Sequence, residues 1–270
     1  MPYLFGCQGR IHHHSWLPVG DVRGLVLLLH GYGEHLGLYE PLAQRLVADG
    51  HAVYALDAVG HGRSDGERAV IASFDYFVED ARRLAELARR QHPEVLLTVV
   101  GHSHGAVTAL LLAQRHPQLA HALVLSGAPI RPLPWIQDTL ASGVAETEAG
   151  DPTEFLSTQP DYVHALLHDP LVWAGGFRRE TLLACPPVWI EIEAGLTAGK
   201  PDLLTLFVHG GADPVVPVEL IEPVVARLPQ AQLHVFPDDL HDVLNEHDRD
   251  AVHEVVAAFL ASAVLREPVR

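Results

Sequence analysis

A Gly-x-Ser-x-Gly pentapeptide at residues 101–105 constrains this chain more than any other feature. Residues 95–100 before it are largely apolar and favour a strand, and residues 106–113 after it favour a helix. A sharp turn between a buried strand and a helix holds a serine side chain clear of the sheet, and the two glycines allow both elements to approach closely. Since a serine that only capped the helix would not need both glycines, we interpret Ser103 as a nucleophile.

Strand-like and helix-like segments alternate along most of the chain. Continuous apolar runs at 25–30, 52–57, 122–126 and 203–209 are typical of strands buried on both faces. Amphipathic segments such as 74–90 favour helices between those strands. The alternation predicts an α/β fold with a mostly parallel central sheet and helices on both faces.

The alternation breaks between residues 129 and 201, which are rich in proline, glycine, tryptophan and acidic residues and predict only short helices. We therefore expect residues 1–128 and 202–270 to form the α/β core, and residues 129–201 to form an inserted helical cap, or lid. Ligands of open α/β sheets bind at the carboxyl ends of the strands. The cap is expected to cover that end.

The composition narrows the class of protein. The chain has 270 residues, 48% of them hydrophobic, and a formal net charge of −16. Such an acidic surface repels phosphate backbones, so we expect no nucleic acid partner. The two cysteines, Cys7 and Cys185, do not make a disulfide framework. With no apolar run long enough for a membrane span and no visible secretory signal, we expect a cytoplasmic protein.

A serine nucleophile needs a base and a group that orients the base. In enzymes with this strand–turn–helix arrangement the order is serine, then acid, then histidine, each in a loop after a late strand. Asp213 and His241 meet both conditions. Other histidines lie within predicted strands or at the last helix: His209, His234, His247 and His253. Three other acids are so near His241 in sequence that we expect them to be solvated loop residues: Asp238, Asp239 and Asp242.

The developing negative charge on a carbonyl oxygen needs two backbone N–H donors. We expect one from His104, which follows the nucleophile, and one from Tyr32, in the glycine-rich loop after the third strand. The chain has 19 histidines, but neither a His-Glu-x-x-His motif nor a cysteine pair. We therefore expect no catalytic metal, and no cofactor.

Four motifs together resemble the monoacylglycerol lipases of the α/β-hydrolase fold, in the lysophospholipase and serine-aminopeptidase-like group. They are His-Gly-x-Gly-Glu-His at 30–35, Gly-His-Gly-x-Ser-x-Gly at 60–66, Gly-His-Ser-x-Gly at 101–105 and Asp-Pro-Leu-Val at 169–172. The resemblance runs from about residue 11 to residue 260. It implies the triad Ser103, Asp213 and His241, the oxyanion amides of Tyr32 and His104, and a flexible cap that forms an acyl channel.

The resemblance also implies substrate contacts, with two departures. Glu34 matches a position near the glycerol head group, and Leu171 and Trp173 fall in the cap. Leu38 stands where the family has an arginine at the glycerol end, which weakens the case for glycerol recognition. His104 stands where the family has methionine, but only its amide is required. Apolar cap residues suit an acyl chain, and also transient contact with a lipid surface: Leu133, Trp135, Ile136, Phe155, Leu166, Leu167, Leu171, Trp173 and Phe177.

We therefore expect a serine hydrolase that cleaves carboxylic esters, above all monoacylglycerols. Other hydrolases on the same triad remain open, namely a general carboxylesterase, lysophospholipase, thioesterase, aminopeptidase or carbon–carbon bond hydrolase. An aminopeptidase would need a cap carboxylate for the substrate ammonium, for which the sequence offers Glu146, Glu148, Glu154 and Asp161. A non-catalytic ligand-binding protein on this scaffold is a further alternative, against which an intact triad argues.

Overall fold

Eight strands form one central sheet in the computed structural model, which describes residues 3–265. The strands are β1 (Tyr3–Gly6), β2 (Gly9–Trp16), β3 (Gly24–Leu29), β4 (His51–Leu56), β5 (Leu97–His102), β6 (Ala122–Ser126), β7 (Leu204–Gly210) and β8 (Ala231–Phe236). Their spatial order is β1-β2-β4-β3-β5-β6-β7-β8. The pairs from β4 through β3 to β8 are parallel, and β1 and β2 add an antiparallel edge.

The order of the strands places the functional loops. β3 pairs with β4 on one side and with β5 on the other, so the chain leaves β3 and β5 in opposite directions across the sheet. Such a switch point opens a crevice at the carboxyl ends of the strands, where ligands bind in α/β proteins. The loop after β3 and the turn after β5 therefore lie side by side.

Eight α-helices accompany the sheet among the described residues. They are α1 (Glu40–Ala48), α2 (Phe74–Gln91), α3 (His104–Arg115), α4 (Pro134–Ser142), α5 (Pro160–His168), α6 (Arg179–Thr197), α7 (Glu222–Val225) and α8 (Arg249–Val264). The α/β fold predicted from the alternation of elements is confirmed. None of these helices is both long and apolar enough to span a lipid bilayer.

The core consists of two apolar layers, one on each face of the sheet. Alternate residues of a strand point to opposite faces. Thus Leu25, Leu27 and Leu29 pack with α2 and α3, whereas Val26 and Leu28 pack with α1 and α8. This double burial explains why the strands appear in the sequence as uninterrupted apolar runs.

Proline affects two helical segments, and one of them, α6, is longer than the short helices predicted for residues 129–201. The segment 218–228 is a 3-10 turn followed by the four-residue α7, because Pro223 has no N–H to continue a helix and instead starts a new one. In the cap, α6 is 19 residues long although Pro186 and Pro187 lie inside it. Its buried face, which includes Trp189 and Ile192, packs on the core and outweighs the poor helix propensity of proline.

Candidate active site

The turn after β5 has the strained backbone expected of a nucleophile. Ser103 has φ 49° and ψ −117°, a region that residues with a side chain rarely adopt. A Cβ on Gly101 would lie 2.3 Å from the carbonyl oxygen of Gly105, and one on Gly105 would lie 2.2 Å from that of Leu29. Both glycines are therefore required by the close approach of α3 to β3 and β5.

The structure brings the three residues predicted as a triad into one hydrogen-bonded chain. His241 Nε2 lies 2.9 Å from Ser103 Oγ, and His241 Nδ1 lies 2.7 Å from Asp213 Oδ2. Asp213 Oδ1 accepts hydrogen bonds from the amides of Val215 and Val216, at 2.8 and 2.9 Å. These two amides fix the rotation of the carboxylate, so that its other oxygen faces the imidazole.

The charges of this chain suit proton transfer. Burial by itself would lower the pKa of His241, but the adjacent Asp213 carboxylate outweighs burial and raises that pKa above its usual value. Burial by itself would raise the pKa of Asp213, but the positive charge of His241 and hydrogen bonds from His209 and His241 hold it well below its usual range. Asp213 is thus ionised at neutral pH and stabilises a proton on His241.

Two of the alternative bases direct a ring nitrogen at a backbone carbonyl rather than at Ser103. His209 Nε2 donates to the carbonyl of Val216 at 2.7 Å, and His253 Nε2 donates to that of Leu244 at 2.8 Å. Of the three acids expected to be solvated, only Asp238 is exposed. That expectation was wrong for the other two, Asp239 and Asp242, which are 2% and 0% exposed.

The two residues whose amides are predicted to bind an oxyanion, Tyr32 and His104, line the same pocket as Ser103. His104 is the first residue of α3, where a backbone N–H has no partner within its own helix. Tyr32 follows β3, and its hydroxyl donates to the Gly176 carbonyl at 3.2 Å and accepts from the Arg178 amide at 3.1 Å. The Tyr32 ring also stacks on Phe177, with 4.6 Å between the ring centroids. Cap residues therefore fix the orientation of the loop that carries one donor.

The His104 side chain occupies an aromatic environment that the sequence did not reveal. Its ring lies 4.9 Å from that of Phe74 and 4.7 Å from that of Phe77, between centroids. Both ring nitrogens are buried and have no hydrogen-bond partner among the described residues. Burial lowers the pKa of His104 well below its usual value, so the ring is neutral and behaves here as an aromatic filler.

A narrow pocket of about 50 Å³ opens above Ser103. Ser103, Tyr32 and His104 form its floor, and its walls are mostly apolar. The cap contributes residues that the sequence analysis singled out for an acyl chain, among them Leu133, Trp135, Ile136 and Phe177. No aspartate or glutamate is among the described residues that line it.

A second pocket, of about 130 Å³, shares the stacked pair Tyr32 and Phe177 with the first. Trp173 lines this second pocket, and its backbone amide donates to the carbonyl of Gly33 at 2.7 Å. Glu148 is the cap carboxylate that borders it. Two other cap carboxylates proposed for an ammonium are paired with arginines, Glu146 with Arg178 and Asp161 with Arg249.

The structure does not bring the other predicted substrate-binding residues to either pocket. Leu38 is buried in the core layer beside α1 and α8. Leu171 uses its carbonyl to accept a hydrogen bond from the Arg68 guanidinium at 2.6 Å. Glu34 is 2% exposed, and both of its oxygens already have hydrogen-bond partners within the protein. Their contact with a substrate stays a prediction without geometric support.

One group of side chains in residues 3–265 has donor atoms close enough together to surround a cation, namely Glu34, His102 and Asp242, within 4.8 Å of one another. All three are buried behind the triad. The sequence analysis missed this group because its members are brought together by folding: 68 and 140 residues separate His102 from Glu34 and Asp242, respectively.

Several known proteins resemble this chain in sequence. The family model described as "Serine aminopeptidase, S33" matches residues 20–248. A monoacylglycerol lipase from Mycolicibacterium smegmatis is 35% identical over 267 residues, covering 94% of this chain and 93% of that protein. The human monoglyceride lipase is 36% identical over 126 residues, which is 46% of this chain and 42% of that protein.

Solved structures share the fold. A monoacylglycerol lipase from Paleococcus ferrophilus superposes with a TM-score of 0.77 at 24% identity, covering 94% of this chain and 99% of that one. A soluble variant of the Saccharomyces cerevisiae monoglyceride lipase, solved with a substrate analogue, gives a TM-score of 0.79 at 18% identity and covers 97% and 94%.

Proposed function

Because this chain belongs to the S33 serine aminopeptidase family and has the α/β-hydrolase fold, we propose that it is a serine hydrolase that cleaves monoacylglycerols to a fatty acid and glycerol. The observation that carries the proposal is the hydrogen-bonded chain Ser103–His241–Asp213 beneath an apolar pocket, which has no carboxylate among its lining residues in the described range 3–265. The monoacylglycerol lipase that resembles this protein over 94% of the chain supports the substrate class.

Acyl transfer follows from this geometry. Ser103 Oγ attacks the ester carbonyl carbon and His241 Nε2 takes the hydroxyl proton, while Asp213 stabilises the charged imidazole. The amides of Tyr32 and His104 bind the oxyanion, and each such donor is typically worth about 3–4 kcal/mol of transition-state stabilisation. His241 then gives its proton to the departing alcohol.

Deacylation repeats the sequence with water. His241 takes a proton from the water, the resulting hydroxide adds to the acyl carbonyl, and the carboxylic acid leaves as Ser103 regains its proton. The apolar pocket holds the acyl chain and keeps bulk water from the ester. Water is the one further reactant needed to balance these steps.

The test is turnover of a panel of monoacylglycerols, p-nitrophenyl esters and aminoacyl amides, together with fluorophosphonate labelling. We expect the esters to be preferred and Ser103→Ala to abolish both turnover and labelling. Ser142→Ala, which removes an exposed cap hydroxyl, is the matched control and should retain both. Ser103→Ala activity within tenfold of the wild type would refute the assignment of the nucleophile.

An aminopeptidase is the alternative that one observation favours. Glu148 lines the second pocket, where it could face a substrate ammonium, and the S33 family model is described as a serine aminopeptidase. The absence of any acid among the described residues lining the pocket above Ser103 argues for an acyl chain instead. Faster turnover of the aminoacyl amides than of the monoacylglycerols, lost in Glu148→Gln, would decide for the aminopeptidase.

We further propose that residues 129–201 act as a cap that touches lipid surfaces transiently. Three of its apolar side chains support this because they are exposed, Leu167 at 54%, Leu183 at 51% and Ile190 at 74%. Sedimentation with zwitterionic vesicles, compared between the wild type and Leu183→Ser/Ile190→Ser, measures the contact. Equal sedimentation would contradict it. A cytoplasmic location stays a prediction that cell fractionation can test.

A further inference from the structure

Two carboxylates lie buried directly behind the triad. Asp242 follows His241 in the chain and is 0% exposed, and Glu34 lies in the loop after β3 and is 2% exposed. Neither forms an ion pair with an arginine or lysine in residues 3–265. Two negative charges in such a place would be costly, because a buried charge without a partner loses its hydration.

The hydroxyl of Tyr162, from cap helix α5, lies between these two carboxylates. It is 2.8 Å from Glu34 Oε1 and 2.6 Å from Asp242 Oδ2. Both distances are hydrogen-bond lengths between oxygen atoms. Two oxygens this close need a proton between them, so the two contacts together require two protons.

Tyr162 supplies only one of those protons. The second cannot come from Tyr39, whose hydroxyl proton points to the other oxygen of Glu34, Oε2, at 2.5 Å. Gly31 N–H also donates to Glu34 Oε2, at 2.8 Å, and the amide of Asn245 donates to Asp242 Oδ2, at 2.9 Å. The remaining proton must therefore be on one of the two carboxyl groups.

The surroundings assign that proton to Glu34 at neutral pH. Burial, followed by the negative charge of Asp242, raises the pKa of Glu34 from 4.5 to about 7. Burial keeps the pKa of both Tyr39 and Tyr162 well above 10, so neither is a phenolate. His102 lies 3.7 Å from Asp242 Oδ1, but burial lowers its pKa to about 4, which leaves it neutral.

The other titratable groups near this pair belong to the triad. The ring of His241 lies 4.9 Å from that of His102, and the charges of Asp242 and Glu34 add to that of Asp213 in raising the pKa of His241. The pair His241 and Asp213 carries its own compensating charges. A cation among Glu34, His102 and Asp242 would have to displace the donors that already saturate Glu34.

We propose that Glu34 and Asp242 hold one proton between them through the Tyr162 hydroxyl, and that this proton makes Glu34 and Tyr162 positioning residues for the active site. The catalytic consequence rests on the proposed ester hydrolysis, whereas the shared proton itself does not. Glu34 holds the Gly31 amide, next to Tyr32 in the loop that carries an oxyanion donor. Asp242 is adjacent to His241, so the proton joins the cap, the oxyanion loop and the histidine loop.

The raised pKa of Glu34 determines how the stability of the protein changes with pH. Because the pKa of Glu34 is raised to about 7 in the folded protein, the stabilising contribution is complete below its ordinary value of 4.5 and is lost as the pH rises through about 7. Above that pH the Tyr162 hydroxyl can satisfy only one carboxylate, and the other oxygen contact becomes repulsive. The proton is therefore expected to give kcat/KM an alkaline decline that the triad does not produce.

The first test is infrared difference spectroscopy of the wild type against Glu34→Gln. A buried protonated carboxyl has a carbonyl stretch distinct from that of a carboxylate. In the difference spectrum between the wild type and Glu34→Gln we expect this band at pH 6 and its loss as the pH rises through about 7. Asp239, whose pKa burial also raises to about 7, gives the same signal in both proteins and cancels. Glu40→Gln, at an exposed position, is the matched control and should keep the band. Absence of the band from the difference spectrum overturns the shared proton.

The second test uses pH profiles of kcat/KM and Tm on a monoacylglycerol. Glutamine mimics the protonated acid, so Glu34→Gln should lose the alkaline decline in kcat/KM, whereas Tyr162→Phe should shift it to lower pH. If these side chains had a purely structural role, both variants would have a Tm lowered equally at every pH and a kcat/KM profile parallel to that of the wild type. That result would overturn the positioning role. If the band is present but no ester is hydrolysed, the shared proton stands and the proposed function fails.

Discussion

Replacement of Asp213 by asparagine tests the triad most directly, because the structure fixes how the new amide must sit. Asp213 Oδ1 accepts two hydrogen bonds, from the amides of Val215 and Val216 at 2.8 and 2.9 Å. Asparagine has only one oxygen, and that oxygen must keep these two donors. Its NH₂ group is then forced to face His241 Nδ1, where Asp213 Oδ2 lies 2.7 Å away.

This geometry reverses the tautomer of the histidine. An NH₂ donor requires Nδ1 of His241 to be the acceptor, which places the ring proton on Nε2 and directs it at Ser103 Oγ. Such a ring cannot take the hydroxyl proton. Serine hydrolases lose about 10⁴-fold in kcat when this carboxylate becomes an amide, and at about 1.36 kcal/mol per tenfold that is ~5.4 kcal/mol of transition-state stabilisation.

The assay is steady-state hydrolysis of a p-nitrophenyl ester, with Tm measured in parallel. Asp213→Asn should lose about 10⁴-fold in kcat with little change in KM, because the side chain does not touch the acyl pocket. Asp238→Asn removes the same charge from an exposed residue of the neighbouring loop and should retain activity within about twofold, since isolated surface charges contribute little. A loss of less than tenfold in Asp213→Asn, with Tm unchanged, would refute the tautomer argument.

Three further outcomes are expected. The acid limb of the kcat/KM profile should have its midpoint above 6.5, because the Asp213 charge raises the pKa of His241 and activity requires the neutral ring; a midpoint at or below 6.5 would contradict this. Gly105→Ala should lower Tm in a thermal melt by about 2–4 °C for each kcal/mol, with ~1–3 kcal/mol expected for such overpacking, since its Cβ would lie 2.2 Å from the Leu29 carbonyl oxygen; an unchanged Tm would show that the strand can shift freely. Val188→Phe places a larger side chain in the wall of the pocket above Ser103 and so narrows the pocket. In a chain-length series of monoacylglycerols it should move the preference towards shorter acyl chains; an unchanged profile would place the acyl chain elsewhere.

Much of the fold could be predicted because its strands are buried on both faces. Leu25 to Leu29 form one continuous apolar run in the sequence and the centre of the sheet in the structure. The triad positions could be predicted for a related reason. Asp213 and His241 follow the carboxyl ends of late parallel strands, and parallel strands present those ends at one edge of the sheet. Local sequence and one topological rule were enough.

What escaped prediction depends on contacts between distant parts of the chain. Glu34 was expected near a glycerol head group, yet Tyr162 reaches it from 128 residues away and occupies one of its oxygens. Asp242 was expected to be solvated, because a position next to His241 in the sequence does not indicate burial. In the folded chain it is 0% exposed. The length of α6 was missed because Pro186 and Pro187 disfavour a helix locally, and only packing on the core overrides them. Side-chain contacts of this kind are a property of the folded chain.

The hydrogen bonds around Tyr32 show that the cap and the core build the site together. The cap reaches the loop after β3 through the Trp173 amide on Gly33, the Tyr32 hydroxyl on Gly176 and the Tyr162 hydroxyl on Glu34. Ser103, Asp213 and His241, in contrast, all follow strands of the sheet and need no cap residue for their mutual hydrogen bonds. Residues 129–201 nevertheless hold the histidine loop as well, because the amides of His241 and Asp242 donate to the carbonyls of Phe155 and Leu156 at 3.2 and 2.9 Å. A change in this segment is therefore expected to affect both the oxyanion loop and the histidine that serves as the base.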